Sequence, residues 1–279
     1  MLASRFPLHT RAAVSCGRCF SSFITGVPKS VRNGEGRHVQ RNLKKDYIRK
    51  KGKSHSSTLW LDRQLRDPYS IRALEEGHRS RAYFKLEEID KYSLFHKDDI
   101  VVDVGAAPGG WSEYAVQRVG TTAPCSVVSI DLLAFDPIPG VHFIRGDFMD
   151  DAMKRELLEY IDGRRVNTVL SDIAPNFSGD HSIDHEKQIA MSRSVLKFAY
   201  EVADSHCNVV LKVLQGSEFP LFMKEARSLF RECHIMKPKA SRKESSEVYC
   251  VFRDFVNCAV CGSPHPHSTF NVMHVIHKK

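Results

Sequence analysis

Four charged residues stand at or near the strand ends at which a predicted α/β sheet opens: Lys85, Asp172, Lys212 and Glu247. Lysines beside carboxylates can take part in proton transfer or stabilise a charge that develops during a reaction. The alternative is a buried ion network without a chemical role. Lys212 argues against this alternative, because it interrupts an otherwise apolar strand at residues 209–214, where lysine is rarely buried.

A glycine-rich turn after the first predicted strand offers a place for a nucleotide-like ligand. The turn consists of Gly105, Ala106, Ala107, Pro108, Gly109 and Gly110, and Trp111 follows it. Glycines in a strand–turn–helix unit allow unusual backbone angles and let a ligand approach the backbone. Ala107 stands where a dinucleotide-binding enzyme needs its second glycine, so a dehydrogenase is disfavoured. Pro108 stiffens the turn and predicts a helix beginning near Gly109 or Trp111.

Two further predicted strands end in carboxylates that extend this site. Residues 127–131 end in Asp131, 26 residues after Gly105, where a nucleotide-binding βαβ unit places the acid that binds a ribose hydroxyl. Asp147 and Phe148 follow the strand at residues 141–145. They offer a carboxylate for the amino group of an adenine and an aromatic ring for its face.

The order of the predicted elements defines the fold class. Strands alternate with helices, which specifies a three-layer, Rossmann-like α/β fold with a mostly parallel seven-stranded sheet and helices on both faces. The predicted strands are residues 100–102, 127–131, 141–145, 166–170, 208–214, 233–236 and 247–252. The predicted helices are residues 79–92, a helix that starts at the glycine-rich turn, 149–160, 184–204 and 218–230.

Five separated motifs resemble those of the FtsJ-type (RrmJ) ribosomal RNA 2′-O-methyltransferases, and within them the mitochondrial large-subunit branch. They are residues 80–86 (SRAYFKL), 103–112 (DVGAAPGGWS), 171–176 (SDIAPN), 211–213 (LKV) and 241–249 (SRKESSEVY). The resemblance covers about residues 59–253. One departure lies at residues 203–208, where the family usually has a Pro-Gly-Gly turn before the fifth strand.

The resemblance implies S-adenosylmethionine as cofactor and Lys85, Asp172, Lys212 and Glu247 as the catalytic set. It assigns Gly109, Trp111, Asp131, Asp147 and Asp172 to the cofactor. With the residues inferred from the turn and from the third strand, the predicted cofactor set is Gly105, Pro108, Gly109, Gly110, Trp111, Asp131, Asp147, Phe148 and Asp172.

Two roles stay open for Lys212 in methyl transfer to a ribose hydroxyl, an in-line displacement that needs no metal and depends mainly on positioning. As a neutral base, the lysine would need a pKa of ~7 to 8 instead of ~10.4, a shift that costs about 4 kcal/mol. As an ammonium group, it would stabilise the developing alkoxide while Asp172 and Glu247 orient it. Lys85 would orient Asp172 or contact the ribose or phosphate.

The positive charge is concentrated before the predicted catalytic domain. The 279-residue chain has a net charge of +8, yet residues 1–56 alone hold 13 Lys and Arg against 2 acids. Residues 1–33 are basic and acid-free, which is typical of a mitochondrial transit peptide; we expect cleavage after Phe20 and a location in the matrix. The alternative is the basic tail of a cytoplasmic or nuclear protein. Residues 34–57 are predicted to contact RNA phosphates, or else to form a solvated linker.

Residues 58–255 form the predicted methyltransferase domain, and residues 256–279 form a tail that contains Cys and His. Cys258 and Cys261 have zinc-knuckle spacing, and Cys16 and Cys19 could complete four thiolates. A cleaved leader cannot supply ligands, so we predict no metal. The eight scattered cysteines favour reduced thiols. No apolar run approaches the ~18 to 20 residues of a membrane span, so we expect no membrane partner. We also expect a monomer.

The sequence therefore predicts an S-adenosylmethionine-dependent methyltransferase that modifies the ribose 2′-O of a uridine or other nucleotide in mitochondrial large-subunit ribosomal RNA. Its partners would be this RNA and the precursor of the large ribosomal subunit. One alternative is a methyltransferase of transfer RNA or of the messenger-RNA cap. Another is a ribosome-assembly factor that acts mainly by binding ribosomal RNA.

Overall fold

The computed structural model describes residues 66–121 and 124–255, in which helices and strands alternate. The strands are β1 (Val101–Val104), β2 (Val127–Asp131), β3 (Val141–Arg145), β4 (Val166–Ser171), β5 (Ala203–Leu214), β6 (Phe230–Met236) and β7 (Glu247–Phe255). The helices are α1 (Pro68–Glu76), α2 (Ala82–Ile89), α3 (Gly110–Val119), α4 (Asp151–Ile161), α5 (His181–Val202) and α6 (Phe219–Arg227), and a 3-10 turn at Asp90–Tyr92 follows α2. None of the helices in this part of the chain has the length and apolar character that a membrane span requires.

The seven strands of the described residues form one sheet in the order β3-β2-β1-β4-β5-β7-β6. Strands β1 to β5 pair in parallel, whereas β7 lies antiparallel between β5 and β6. The predicted fold class, a mostly parallel seven-stranded α/β sheet, is confirmed. The chain moves outward from β1 to β3 and then returns to β4 on the other side of β1. Sheets with such a reversal bind ligands beside it, at the carboxyl ends of the strands.

Apolar side chains on the two faces of the sheet form two separate cores. Val102 and Val104 of β1 belong to one core, together with side chains of α4, α5 and α6. Val101 belongs to the other core, together with side chains of α2 and α3, because successive strand residues point to opposite faces. Burial of both faces fixes the strands, and with them the strand ends that carry the candidate site.

The junction between α5 and β5 differs from the prediction. The helix expected to end at residue 204 ends at Val202, and the strand expected to begin at residue 208 begins at Ala203. Ala203 pairs with Val166, and the register then shifts so that Asn208 pairs with Thr168. The pairing with β4 therefore extends β5 through a polar segment that shows no strand pattern of its own.

A second difference is α1, a helix that lies before the first predicted helix. Pro68 is the first residue of α1, a position at which proline has no hydrogen bond to lose. Gly77 ends the helix in the left-handed conformation, with φ of 79°. The segment that leads into α2 is therefore an ordered helix.

Candidate active site

The glycine-rich turn connects β1 to α3 and lies beside the segment that follows β4. Gly105 has a φ of 78°, and a Cβ at this position would lie 2.7 Å from the backbone nitrogen and Cα of Ile173. Any other residue would therefore push the two segments apart. The predicted start of the helix is confirmed, since α3 begins at Gly110 with Gly109 as its N-cap. The peptide bond between Ala107 and Pro108 is cis.

A cleft of about 390 Å³ opens where β1, β2, β3 and β4 end. Three predicted carboxylates line it, each following or ending a different strand: Asp131, Asp147 and Asp172. Gly105 lines the same cleft. Three acids give the cleft a negative potential, which favours a ligand that carries positive charge.

Asp131 holds the glycine-rich turn and can also face a ligand. Its Oδ2 accepts a hydrogen bond of 2.8 Å from the backbone nitrogen of Ala107, and its Oδ1 accepts one of 2.8 Å from that of Leu133. Each carboxylate oxygen can accept a further hydrogen bond. Asp131 can therefore bind a ribose hydroxyl, as predicted, without releasing the turn.

The structure places Asp147 on the cleft but covers most of Phe148. The Phe148 ring is only 2% exposed and packs edge-on against Phe198, so the ring face expected to stack on an adenine lies mostly in the core. The apolar surface on this cleft comes instead from Leu132 and Leu133, which are 56% and 68% exposed. Sequence reasoning missed these two leucines, although they directly follow Asp131.

Four residues of the predicted cofactor set do not line the cleft: Pro108, Gly109, Gly110 and Trp111. Trp111 is 2% exposed, and its indole N–H donates to the carbonyl oxygen of Ala82 at 2.9 Å. A Cβ on Gly110 would lie 2.4 Å from Ser80 Oγ. Gly110 and Trp111 therefore pack α3 against the start of α2, and the indole of Trp111 faces α2.

The four predicted catalytic side chains meet in one continuous network. Lys85 Nζ lies 2.9 Å from Glu247 Oε1 and donates to the Tyr249 hydroxyl at 2.8 Å. That hydroxyl donates to Asp172 Oδ1 at 2.9 Å, and Lys212 Nζ lies 3.0 Å from the same oxygen. Tyr249 thus joins the two lysine–carboxylate pairs, a link that the sequence prediction did not contain.

The pairing of β5 with β7 explains why this network forms. Lys212 pairs with Tyr249, and Leu214 pairs with Glu247. Because strand side chains alternate between faces, Glu247 and Tyr249 project to the same side as Lys212. The same spacing of two residues in the sequence could have identified Tyr249 once Glu247 had been placed in a strand.

Opposing effects set the charge of Asp172. Burial acts to raise its pKa, but the charges of Lys212 and Lys85, together with hydrogen bonds from Lys212 and Tyr249, outweigh burial and hold the pKa below its ordinary value. Burial and the neighbouring charge of Asp172 raise the pKa of Tyr249 well above its ordinary value. Asp172 is therefore ionised, and Tyr249 stays a neutral hydroxyl that can both donate and accept.

A second cavity, of about 270 Å³, adjoins the network on the side away from the cleft carboxylates. Lys85, Lys212 and Glu247 line it, and it shares Ala174 with the first cleft. Two arginines and an aromatic ring complete its wall: Arg81, Arg242 and Phe177. The network therefore lies at the boundary between an acidic cleft and a cavity rich in cations.

Within residues 66–121 and 124–255, no group of three His, Cys, Asp or Glu side chains is arranged to hold a metal ion. Cys258 and Cys261 lie outside the described residues. So do the predicted transit peptide, at residues 1–33, and the whole of the basic segment, at residues 34–57.

The sheet reversal, the glycine-rich turn and the cleft at the strand ends are typical of nucleotide-binding α/β proteins. The model of the FtsJ-like methyltransferases matches residues 78–255. The chain belongs to this family, whose members depend on S-adenosylmethionine. The resemblance found in the sequence is thus confirmed at the level of the family.

One solved structure agrees with this assignment. A protein of Plasmodium falciparum assigned as a ribosomal RNA methyltransferase is 28% identical, with a TM-score of 0.56, and the match covers 64% of this chain and 100% of that one. A protein of Clostridium thermocellum assigned as an rRNA methylase is 17% identical, with a TM-score of 0.41, over 60% of this chain and 96% of that one. The second likeness is too weak to support a functional argument.

Proposed function

We propose that the protein transfers a methyl group from S-adenosylmethionine to a ribose 2′-hydroxyl of mitochondrial large-subunit ribosomal RNA. The observation that carries this proposal is the network of two lysines, two carboxylates and Tyr249 at the boundary of two cavities of opposite charge. A cationic methyl donor suits the acidic cleft, and a polyanionic acceptor suits the cavity lined by arginine and lysine.

The residues of the acidic cleft fit S-adenosylmethionine. Asp131 can accept from ribose hydroxyls, Leu132 and Leu133 offer an apolar surface for an adenine, and the carboxylates of Asp147 and Asp172 complement positive charge. When bound, the cofactor supplies an electrophilic methyl group on a positively charged sulfur. Asp172, which lines the cleft and contacts Lys212, would keep donor and acceptor adjacent.

Lys212 would act on the acceptor oxygen as an ammonium group. Two of its three N–H bonds are directed to Asp172, one to the carboxylate and one to the backbone carbonyl oxygen, and the third can reach a substrate hydroxyl. The ionised carboxylate of Asp172 holds Lys212 Nζ at 3.0 Å. The lysine would then stabilise negative charge on the ribose oxygen as the hydroxyl proton is lost to solvent.

Ribosomal RNA is proposed as the substrate because the Plasmodium falciparum protein, which shares the fold at 28% identity, is assigned to ribosomal RNA. The proposed mitochondrial location rests on the basic, acid-free composition of residues 1–33. Residues 34–57 would add affinity for RNA phosphates without sequence preference. In this proposal, residues 58–255 form the catalytic domain and residues 256–279 an appended tail.

The test is a map of ribose methylation in mitochondrial and cytoplasmic RNA from cells with and without the protein. We expect one site in mitochondrial large-subunit RNA to be lost, to return with the wild-type protein, and to stay absent with Lys212→Ala. A site lost in transfer RNA or at messenger-RNA caps would refute the ribosomal substrate. An unchanged map, with a ribosome defect rescued by Lys212→Ala, would show an assembly factor instead.

A further inference from the structure

Phe177 is an exposed aromatic ring on the wall of the second cavity. Its side chain is 64% exposed, although apolar surface of this size is usually covered in a folded protein. The ring lines the same cavity as Lys85 and Lys212. It therefore offers a flat apolar surface next to the groups proposed to act on a ribose hydroxyl.

The loop that carries Phe177 is held by hydrogen bonds rather than left free. Asp184 Oδ1 accepts from the backbone nitrogen of Ser178 at 2.7 Å and from its hydroxyl at 2.8 Å, and Oδ2 accepts from the nitrogen of Gly179 at 3.2 Å. These hydrogen bonds hold the pKa of Asp184 below its ordinary value, so the carboxylate that anchors the loop stays ionised. The backbone that follows Phe177 is thus held in place before any ligand arrives.

Arg242 lines the same cavity and differs from the arginine beside it. Arg81 is engaged by Asp67 and by the carbonyl oxygen of Ala240. Arg242 is half-buried, and its guanidinium has no carboxylate within ion-pair distance among the residues that the structure describes. A partly buried cation without an acid next to it favours an anionic ligand.

The segment that carries Arg242 is also fixed in place. Glu88 accepts hydrogen bonds from the backbone nitrogens of Lys239 and Ala240, at 2.7 and 2.9 Å. Lys237 Nζ donates to the carbonyl oxygen of Lys243 at 2.9 Å. These contacts bracket Arg242 on both sides and hold it at the cavity.

We infer that the second cavity receives one unstacked nucleotide of the RNA, with its base on the Phe177 ring and a phosphate on Arg242. The inference rests on the proposed function and names how that site selects its substrate. The cavity of about 270 Å³ lies near the lower end of the ~300 to 1,000 Å³ of ligand sites. Aromatic rings that stack on splayed bases are how proteins read single-stranded RNA. The modified nucleotide or its immediate neighbour is therefore unpaired.

Methyl transfer to an unmodified transcript of mitochondrial large-subunit ribosomal RNA tests the base platform in the full-length protein. Phe177→Ala should lower kcat/KM for RNA by about 10-fold to 100-fold, as expected for the loss of one stacked base, with the KM for S-adenosylmethionine unchanged. Phe177→Trp should restore most of the activity, whereas Phe177→Leu, which is apolar but cannot stack, should not. Leu221→Ala removes a 50% exposed apolar side chain elsewhere and should have no effect.

The phosphate contact is tested in the same assay. Arg242→Ala should raise the KM for RNA several-fold, and Arg242→Lys should recover part of the loss because it keeps the charge. Lys243→Ala removes the same charge from the next, exposed residue and should change the KM less. Equal effects of Arg242→Ala and Lys243→Ala would overturn this half of the inference.

Cross-linking with a 4-thiouridine form of the same transcript separates the inference from the proposed function. The peptide that contains Phe177 should be cross-linked in the wild type and not in Phe177→Ala. Normal methylation by Phe177→Ala, or equal rescue by tryptophan and leucine, would overturn the base platform while the proposed function stands. A wild-type protein that methylates nothing would refute the function, and absence of the Phe177 cross-link would then refute the platform as well.

Discussion

The two cavities that share Ala174 are lined by side chains of opposite charge. The cofactor-side cleft is lined by carboxylates from the ends of parallel strands, namely Asp131, Asp147 and Asp172. The second cavity is lined by cations from helix, strand and loop, namely Arg81, Lys85, Lys212 and Arg242. The difference matches a cationic donor on one side and a polyanion on the other, and Asp172 and Lys212 are in contact at the boundary.

The two cavities also differ in the contacts on which they depend. Each carboxylate of the cleft ends or closely follows a strand, so its place is set by the sheet itself. The cavity depends on contacts between distant parts of the chain, such as Lys85 with Glu247, 162 residues apart, and Glu88 with Lys239, 151 residues apart. Substitutions in the cleft should therefore change cofactor affinity, those around the cavity should change the use of RNA, and those at the boundary should change turnover.

The largest effect is expected at the boundary. Lys212→Ala removes the amino group that is proposed to act on the acceptor oxygen and should lower kcat by about 10²-fold to 10³-fold. The dissociation constants of cofactor and RNA should stay within a few-fold of the wild type. Single-turnover methyl transfer measures the rate, and calorimetric titration measures the dissociation constant of S-adenosylmethionine. If Lys212→Ala weakened cofactor binding as much as it lowered the rate, the boundary would not differ from the cleft in function.

Lys212→Arg sharpens this result, because arginine cannot act as a neutral base. If the charge of Lys212 stabilises the ribose oxygen, the arginine variant should keep more activity than Lys212→Ala. If Lys212 must lose its proton first, both variants should be equally inactive. The comparison decides between the two roles that the sequence left open.

The next effect is expected within the cleft. Asp131→Ala removes the carboxylate proposed to accept from a ribose hydroxyl, and it frees the backbone nitrogens of Ala107 and Leu133. We expect the dissociation constant of S-adenosylmethionine to rise by about 10-fold to 100-fold, the loss of two to three hydrogen bonds. RNA affinity in a filter-binding assay should not change. Asp131→Asn keeps one acceptor oxygen, so its dissociation constant for S-adenosylmethionine should lie between those of the wild type and Asp131→Ala.

The sequence could predict the cleft better than the second cavity, because the sheet sets the cleft whereas contacts between distant parts of the chain set the cavity. Asp131, Asp147 and Asp172 were predictable because alternating strands and helices dictate a parallel sheet, whose carboxyl ends lie together. Phe177 and Arg242 were not predictable. Their loops are held by hydrogen bonds to Asp184 and Glu88, and no local sequence pattern indicates such hydrogen bonds.

The side chain of Trp111 was not predictable either. The resemblance assigns Trp111 to the cofactor, and that assignment stays a prediction, but the α3 helix turns the indole into the core, where it donates to Ala82. The start of β5 at Ala203 has a similar cause, since pairing with Val166 overrides the local preference of a polar segment. Neighbours in space, rather than in sequence, decide both cases.

A further prediction concerns how the stability of the protein depends on pH through Asp103. Asp103 is fully buried and accepts a hydrogen bond from Ser112 at 2.6 Å. Burial raises its pKa from 3.8 to about 7; the charges of Asp172 and Asp131 act in the same direction, and the Ser112 hydrogen bond opposes them. The folded state therefore holds this proton more tightly than the unfolded state. The free energy of unfolding should fall as pH rises from about 4 to about 7 and be level above that.

Asp103→Asn removes this titration and keeps an oxygen that can accept from Ser112. Between pH 5 and pH 8, the wild type should lose about 2 to 3 kcal/mol through this group, and the variant should not. Urea denaturation at several pH values measures the two curves. Curves that stay parallel from pH 5 to pH 8 would show that Asp103 does not hold its proton in the folded state.

The smallest effect is expected at Glu88, which holds the loop that carries Arg242 but does not itself line the second cavity. Glu88→Ala frees the backbone nitrogens of Lys239 and Ala240 and loosens the segment that carries Arg242. Because Glu88 itself does not line either cavity, we expect the KM for RNA to rise only about threefold to tenfold, the worth of one to two weak contacts, at unchanged cofactor affinity. Glu87→Ala removes the same charge from the neighbouring, exposed residue, whose partner is Arg72 at 3.8 Å. Glu87→Ala should leave the KM unchanged, and an equal rise in both variants would mean that charge on α2, rather than the anchored loop, governs RNA binding.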